Sequence, residues 1–185
     1  MIYQGHIFKG LDKIISQDEL RPVMGVAYID KGNLVATDAH HLVKIDLSFF
    51  GIDKDDAEKL EQKCIDLDTI KKLGALKASQ RWFINEQGIN IYKNNSDKVG
   101  LIYPLEQMAE VGNYPNYDAV IPENEVEQSS FGMNPQLMLN VQKVYSNYEA
   151  ADNLKIILHG KQRPITMKSR CEKFLGLVMP VKIDF

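Results

Sequence analysis

The chain has 185 residues, 44% hydrophobic and 25% charged, with a net charge of −3 from 22 basic and 25 acidic side chains. That is enough chain to bury a core in one domain or two small ones, and its balance excludes a uniformly basic surface while allowing a local basic face. No apolar run approaches a membrane span and residues 1–15 carry polar groups throughout, so a cytoplasmic protein with no signal peptide and no membrane partner is expected.

In chain order, Phe8, Leu11, Ile14 and Ile15 recur at helical spacing with Lys9, Asp12 and Lys13 on other faces. They predict an amphipathic helix, closed near Pro22. Strand-like 23–29 then meets 34–38 across the turn Asp30-Lys31-Gly32-Asn33. The charged stretch 53–63, DKDDAEKLEQK, reads as a solvated loop or short helix. Asp66 can cap a helix that buries Leu67, Ile70 and Leu73 and leaves Lys71 and Lys72 outside. Strands 81–85, 89–93 and 98–103 follow, punctuated by Gln87-Gly88 and by the turn at 94–97. Trp82 is assigned to the core or sheet face, and His6 and His159 carry no assigned role.

The two prolines and turn formers of GNYPNYDAVIPENE, 112–125, mark a linker, with Tyr114 and Tyr117 pinning it to a sheet. Asn134-Pro135 is an N-cap followed by proline at the first helical position, and Leu137, Val141, Val144 and Tyr145 form the buried stripe of the helix it opens. Strands near 154–159, 164–169 and 174–181 complete the chain. A helix-plus-strands unit thus recurs about every 60 residues. The fold class is α+β, with antiparallel strands. Cys64 and Cys171 have no CxxC spacing and are expected as reduced thiols in or near strands.

The stretch VATDAHHLVKID, 35–46, concentrates Asp38, His40 and His41. These are legitimate metal ligands, and one alternative is a small metal-dependent or hydrolytic enzyme built on them. Strand alternation, however, would send residues 38 and 40 to one face and 41 to the other. No nucleophile motif, glycine-rich phosphate loop or paired-carboxylate signature accompanies them. A histidine hydrogen-bonded at a strand end, with Asp38 in a turn, accounts for the same residues.

Three segments carry a resemblance. NLVATDAHHLV, 33–43, resembles the ATDGHRLA segment in the middle domain of bacterial sliding clamps, the DNA polymerase III beta subunit family. NYPNYDAVIP, 113–122, is similar to that family's FPDYRRVLP linker, and LGLVMPVKI, 175–183, to its C-terminal VVMPMRL. The order is the same, but Ala39 stands where the family has Gly and His41 where it has Arg. The resemblance implies a clamp-like fold of three half-domains. Residues 1–122 would form one clamp-like domain, with half-units 1–50 and 63–110 and the linker 112–125 following, and 126–185 a partial second one.

The resemblance further implies a non-enzymatic processivity or adaptor protein needing no cofactor. Its partners would be Gln-Leu-x-Leu-Phe-type peptides of polymerases and the clamp loader. The pocket would be walled by Thr37, Ala39, His40 and Leu42, by Pro122 of the linker, and by Leu177, Val178, Met179, Pro180 and Val181. Pro180 would mark a sheet edge where an extended peptide could lie. Double-stranded DNA would be touched at its phosphates by Lys9, Lys13, Lys71, Lys72 and Lys143, and the chain would act as a homo-oligomer or keep the peptide pocket alone.

Overall fold

The computed structural model describes residues 3–4, 8–77, 80–93, 98–123, 132–147, 153–160 and 162–181. The turn at 94–97, His6, linker residues 124–125 and the last two residues of the 175–183 segment lie outside them. In chain order the strands and helices of the first half are β1 (Tyr3–Gln4), β2 (Val26–Asp30), β3 (Asn33–Thr37), β4 (His41–Asp46), α1 (Lys54–Lys59), β5 (Lys63–Asp66) and α2 (Leu67–Gly74). Then come β6 (Arg81–Asn85), β7 (Gly88–Tyr92), β8 (Val99–Tyr103), β9 (Glu106–Gln107) and α3 (Met108–Val111). The remainder holds β10 (Gly132–Met133), α4 (Pro135–Tyr145), β11 (Lys155–Ile157), β12 (Ile165–Lys168), β13 (Phe174–Val178) and β14 (Pro180–Val181).

Local chemistry accounts for most of these boundaries. Asp66 caps α2 by accepting from the Thr69 amide at 2.9 Å, and Asn134 caps α4 by accepting from the Gln136 amide at 2.9 Å, with Pro135 next. Lys31 and Gly32, at φ 51° and 69°, make the two-residue turn whose twist suits the β2–β3 hairpin. The first predicted helix departs from expectation. Only Leu11–Lys13 coil, as a single 3-10 turn begun by Gly10 at φ 91°. The Ser16 amide then donates to the Met24 carbonyl and draws the chain out of the helical path. Pro22 opens a second 3-10 turn, Pro22–Met24, rather than closing a helix. The apolar positions of that first segment are nonetheless all buried.

An eight-stranded sheet runs in the order β11-β12-β13-β4-β3-β2-β5-β9, all antiparallel. Strands from the last 60-residue unit therefore pair directly with those of the first, Leu177 standing opposite Leu42. A second sheet runs β1-β6-β7-β8. One hydrophobic core joins Leu11, Ile14, Ile70 and Leu73 with Val141, Val144 and Phe174 on one side of the large sheet. Trp82 is buried there against Phe8 and Phe50, with ring centroids 5.1 and 6.5 Å away. The other side of the sheet carries Val35, Leu42 and Leu177, covered by Tyr117 from the linker. Cys64 lies buried in β5, whereas Cys171 is exposed in the turn before β13.

Candidate functional site

The linker crosses the sheet as a strap. Tyr114 donates its hydroxyl hydrogen to the Val35 carbonyl at 3.3 Å, and Tyr117 donates to Asp30 Oδ2 at 2.7 Å. Burial first, then the hydrogen bond to and charge of Asp30, push the Tyr117 phenol far above its ordinary value, so it remains a neutral donor. Asp118, one residue on, accepts from Lys31 Nζ at 2.6 Å and Lys44 Nζ at 3.1 Å, and Lys44 lies 5.2 Å from the Tyr117 ring centre. The bond from Lys31 outweighs partial burial, and with Lys44 it holds the Asp118 carboxyl below its usual range.

Opposite the strap, residues 38–40 form a tight turn between β3 and β4 and not part of a strand. The Thr37 hydroxyl donates to the His41 carbonyl at 2.9 Å and accepts from the Ala39 amide at 3.1 Å. Asp38 Oδ1 accepts from the amides of His40 and His41, at 2.9 and 3.0 Å, and meets the His41 ring Nδ1 at 2.6 Å. Burial pushes the Asp38 carboxyl up, but those hydrogen bonds more than reverse it and leave it below its ordinary value. Ala39 sits at φ 74°, a left-handed conformation that favours glycine. The alternation argument for residues 38–41 therefore fails, because the turn curls Asp38 back onto the buried His41 ring. The ring's far nitrogen, Nε2, lies 3.4 Å from the Asn140 side-chain amide of α4. Asp38 and His41 thus brace the turn against the helix. Among the described residues no group of three or more His, Cys, Asp or Glu side chains is disposed to hold a metal ion.

Turn, strap and the end of β13 enclose a cavity of about 290 Å³. Of the expected wall, Thr37, Ala39, His40, Leu42, Leu177 and Met179 line it. Val178 does not: strand alternation turns it into the core, where it is fully buried. Pro180 and Val181 do not either, because β14 leaves the cavity to pair with β10, so the edge expected at Pro180 is occupied. Pro115, not Pro122, is the linker proline in the wall, since the strap passes the cavity at 115–120. The Met179 amide donates to the His40 carbonyl at 3.0 Å, tying the two walls together.

Sequence reasoning missed Met24, His41, Asn116, Tyr117, Val120 and Pro164 as lining residues. Tyr117 and Val120 belong to the linker motif already singled out, whereas Met24 and Pro164 carry no local signal. The lysines expected to meet DNA are all exposed, but they do not share one surface: Lys13 borders a groove with Asp38 and His40 of the turn, apart from the helix-end lysines. Lys71 and Lys72 end α2 and Lys143 ends α4, where cations suit the helix dipole. Lys9 lies between those helix ends, its backbone near Gly74 and its carbonyl accepting from Asn147. Lys13 pairs with Asp12 at 3.1 Å.

No protein-family model and no curated protein matches the sequence. Solved structures do match. The DNA polymerase sliding clamp of Bacillus subtilis superposes with a TM-score of 0.65 at 15% identity, over 100% of this chain and 64% of that one. The beta sliding clamp of C. crescentus gives 0.66 at 13% identity, over 99% and 65%. The DNA polymerase III beta subunit of Bartonella birtlesii, solved with griselimycin bound, gives 0.64 at 16% identity, over 96% and 64%. The fold is that of the bacterial sliding clamps. The chain spans about 64–65% of the length of these clamps. Among the described residues no helix is long and apolar enough to cross a membrane.

Proposed function

We propose that this chain is a clamp-like, non-enzymatic replication protein that captures short peptide segments of its partners in the cavity beneath the strap. The observation that carries this reading is convergence: three segments far apart in the chain, around residues 37–42, 115–120 and 177–179, border one cavity. Its volume of about 290 Å³ is at the small end of ligand sites, suited to a few apolar side chains rather than a large cofactor. Leu42, Leu177 and Tyr117 supply an apolar floor, and Met179 at the rim is a side chain that adapts to its ligand's shape. The occupants would be Gln-Leu-x-Leu-Phe-type segments of a polymerase or clamp loader. A Leu–Phe pair burying roughly 200 Å² would gain about 5 kcal/mol before ordering costs, equivalent by itself to about 0.2 mM, so the Gln and backbone contacts of the segment must add about 3 kcal/mol or more to reach micromolar affinity.

In this reading residues 1–122 correspond to a clamp's middle domain and 126–185 to the second half of its last one. The exposed Lys9, Lys13, Lys71, Lys72 and Lys143 would touch duplex phosphates without reading bases, weakly in one subunit and more strongly in a homo-oligomer. The pocket is tested by anisotropy with a fluorescent Gln-Leu-x-Leu-Phe peptide. Met179→Ala and Val120→Glu, at rim positions 38% and 49% exposed, should each weaken binding several-fold and leave thermal stability intact. Leu42 is unsuited to such a test, because it is 3% exposed and a charge there would be buried. Absence of binding by the parent protein at high micromolar peptide contradicts the reading.

A further inference from the structure

The floor of the cavity is closed over by the strap. Leu42 and Leu177 are 3% exposed and Tyr117 is 5% exposed, so the strap must rise before a Leu or Phe side chain can bury against them. Pro115, Asn116 and Tyr117 border the cavity on one flank of the strap and a second pocket of about 320 Å³, with Tyr28, Asp30 and Gln62 in its wall, on the other. With open space on both flanks, close packing does not fix this stretch of chain. Among the described residues no backbone hydrogen bond joins 113–121 to a strand. The strap is held down by side chains, and such an element opens more readily than the sheet beneath it.

Those side chains are of two kinds. The Tyr114 hydroxyl anchors the start of the strap on the Val35 carbonyl, and the Tyr117 hydroxyl anchors its middle on Asp30. Asp118 adds an ionic clasp: its Oδ2 meets Lys31 Nζ of the β2–β3 turn at 2.6 Å, and its Oδ1 meets Lys44 Nζ of β4 at 3.1 Å. The same two ammonium groups lie 5.9 and 5.2 Å from the centre of the Tyr117 ring. One carboxylate therefore ties both cations that flank the aromatic wall of the cavity. Lys31 also stands 4.0 Å from Asp30, so two lysines face two aspartates and the cluster is neutral. The Lys31 and Asp118 side chains, 65% and 38% exposed, reach solvent, and dissolved salt competes with the clasp.

We infer that Asp118 is the latch of a gate: its clasp on Lys31 and Lys44 holds the strap over the cavity, and a peptide enters or leaves when the clasp opens and the strap swings toward the second pocket. The inference rests on the peptide-pocket reading and adds to it how access is controlled. Asp118 acts through the Tyr117 ring and the strap, as a positioning residue. Releasing the latch raises the open population of the free and of the occupied protein alike. Entry and exit then speed up together while the affinity stays nearly the same.

A Gln-Leu-x-Leu-Phe peptide with blocked ends and an uncharged fluorophore is mixed with the full chain by stopped flow, at low and at high salt. A peptide without charge experiences no electrostatic steering for salt to weaken, so a salt effect on its rates reports the protein's own clasp. The parent should associate and dissociate about two- to fivefold faster at high salt, with Kd nearly unchanged. Asp118→Asn and Lys44→Met should each be as fast at low salt as the parent is at high salt, and should have lost the salt dependence. Asp118→Glu, which keeps the carboxylate, should restore it. A merely structural role for Asp118 would lower the thermal melt without removing the salt dependence of the rates. Salt-independent rates in the parent, or unchanged rates in Asp118→Asn, overturn the inference and leave the pocket standing. So does a variant that alters Kd through dissociation alone, which would make Asp118 a support of the bound peptide. Failure of the peptide to bind the parent defeats the pocket reading, and this one with it.

Discussion

Gly176 allows α4 to lie against the large sheet, and replacing it tests how closely the two are packed. A methyl carbon at this position would stand 2.2 Å from Val141 Cγ1 and 3.4 Å from Phe174 Cε1, against an optimum near 3.5–4.0 Å for carbon pairs. Val141 is fully buried, so the helix must shift or the side chain must turn away. Overpacking of this kind costs about 1–3 kcal/mol, and near 2 kcal/mol the melting temperature should fall by about 4–8 °C. Val141→Ala alone removes two methyl groups, about 1.6 kcal/mol of transfer energy, and with its cavity about 2–3 kcal/mol. Independent sites would put the double variant near 4–5 kcal/mol of destabilisation. The methyl added by Gly176→Ala instead fills the space vacated by Val141 Cγ1, so the double variant should lose only about 1–2 kcal/mol, a coupling of about 2–3 kcal/mol. Urea unfolding of the four proteins measures the cycle. Additivity within about 0.5 kcal/mol, or a Gly176→Ala protein as stable as the parent, would refute the packing argument.

Ala39→Gly should be mildly stabilising. Relief of a left-handed residue is worth about 1–2 kcal/mol and the added freedom of the unfolded chain takes back about 0.4–1. A rise of about 1–3 °C in a calorimetric melt is expected, and a fall would show that the turn at 38–40 is not strained. Asp38→Asn should destabilise at neutral pH. The Asp38 carboxyl is held below its ordinary 3.8 in the folded protein, so its contribution is complete well above that value and disappears as pH falls through the lower folded value. The stability gap between parent and variant should therefore close in acid, and a gap independent of pH would count against the Asp38–His41 pairing. If the helix-end lysines touch phosphates, Lys71→Glu with Lys72→Glu should lower retention on circular DNA at low salt while leaving the melt nearly unchanged. Equal retention would remove these residues from any DNA surface.

The features legible in the sequence were local ones. The caps at Asp66 and Asn134, the turn at Lys31-Gly32 and the buried stripes of α2 and α4 depend on hydrogen bonds and periodicities that span a few residues. Motif likeness extended this to the segments that border the cavity, because their side-chain types are suited to an apolar wall wherever they lie. The first helix failed because apolar spacing measures burial, not backbone path. Leu11, Ile14 and Ile15 are buried as the spacing requires, yet the Ser16–Met24 bond ends the coil after one turn. Asp38 and His41 were assigned opposite faces because alternation holds only inside a strand, and a carboxylate accepting two successive amides makes a turn instead. Only tertiary structure chose Pro115 over Pro122 and turned Val178 inward. Those outcomes follow from the antiparallel pairing of β13 with β4 and from where the strap crosses it. Non-local pairing fixes every side chain's face and neighbour through one register, and no stretch of a few residues contains that register.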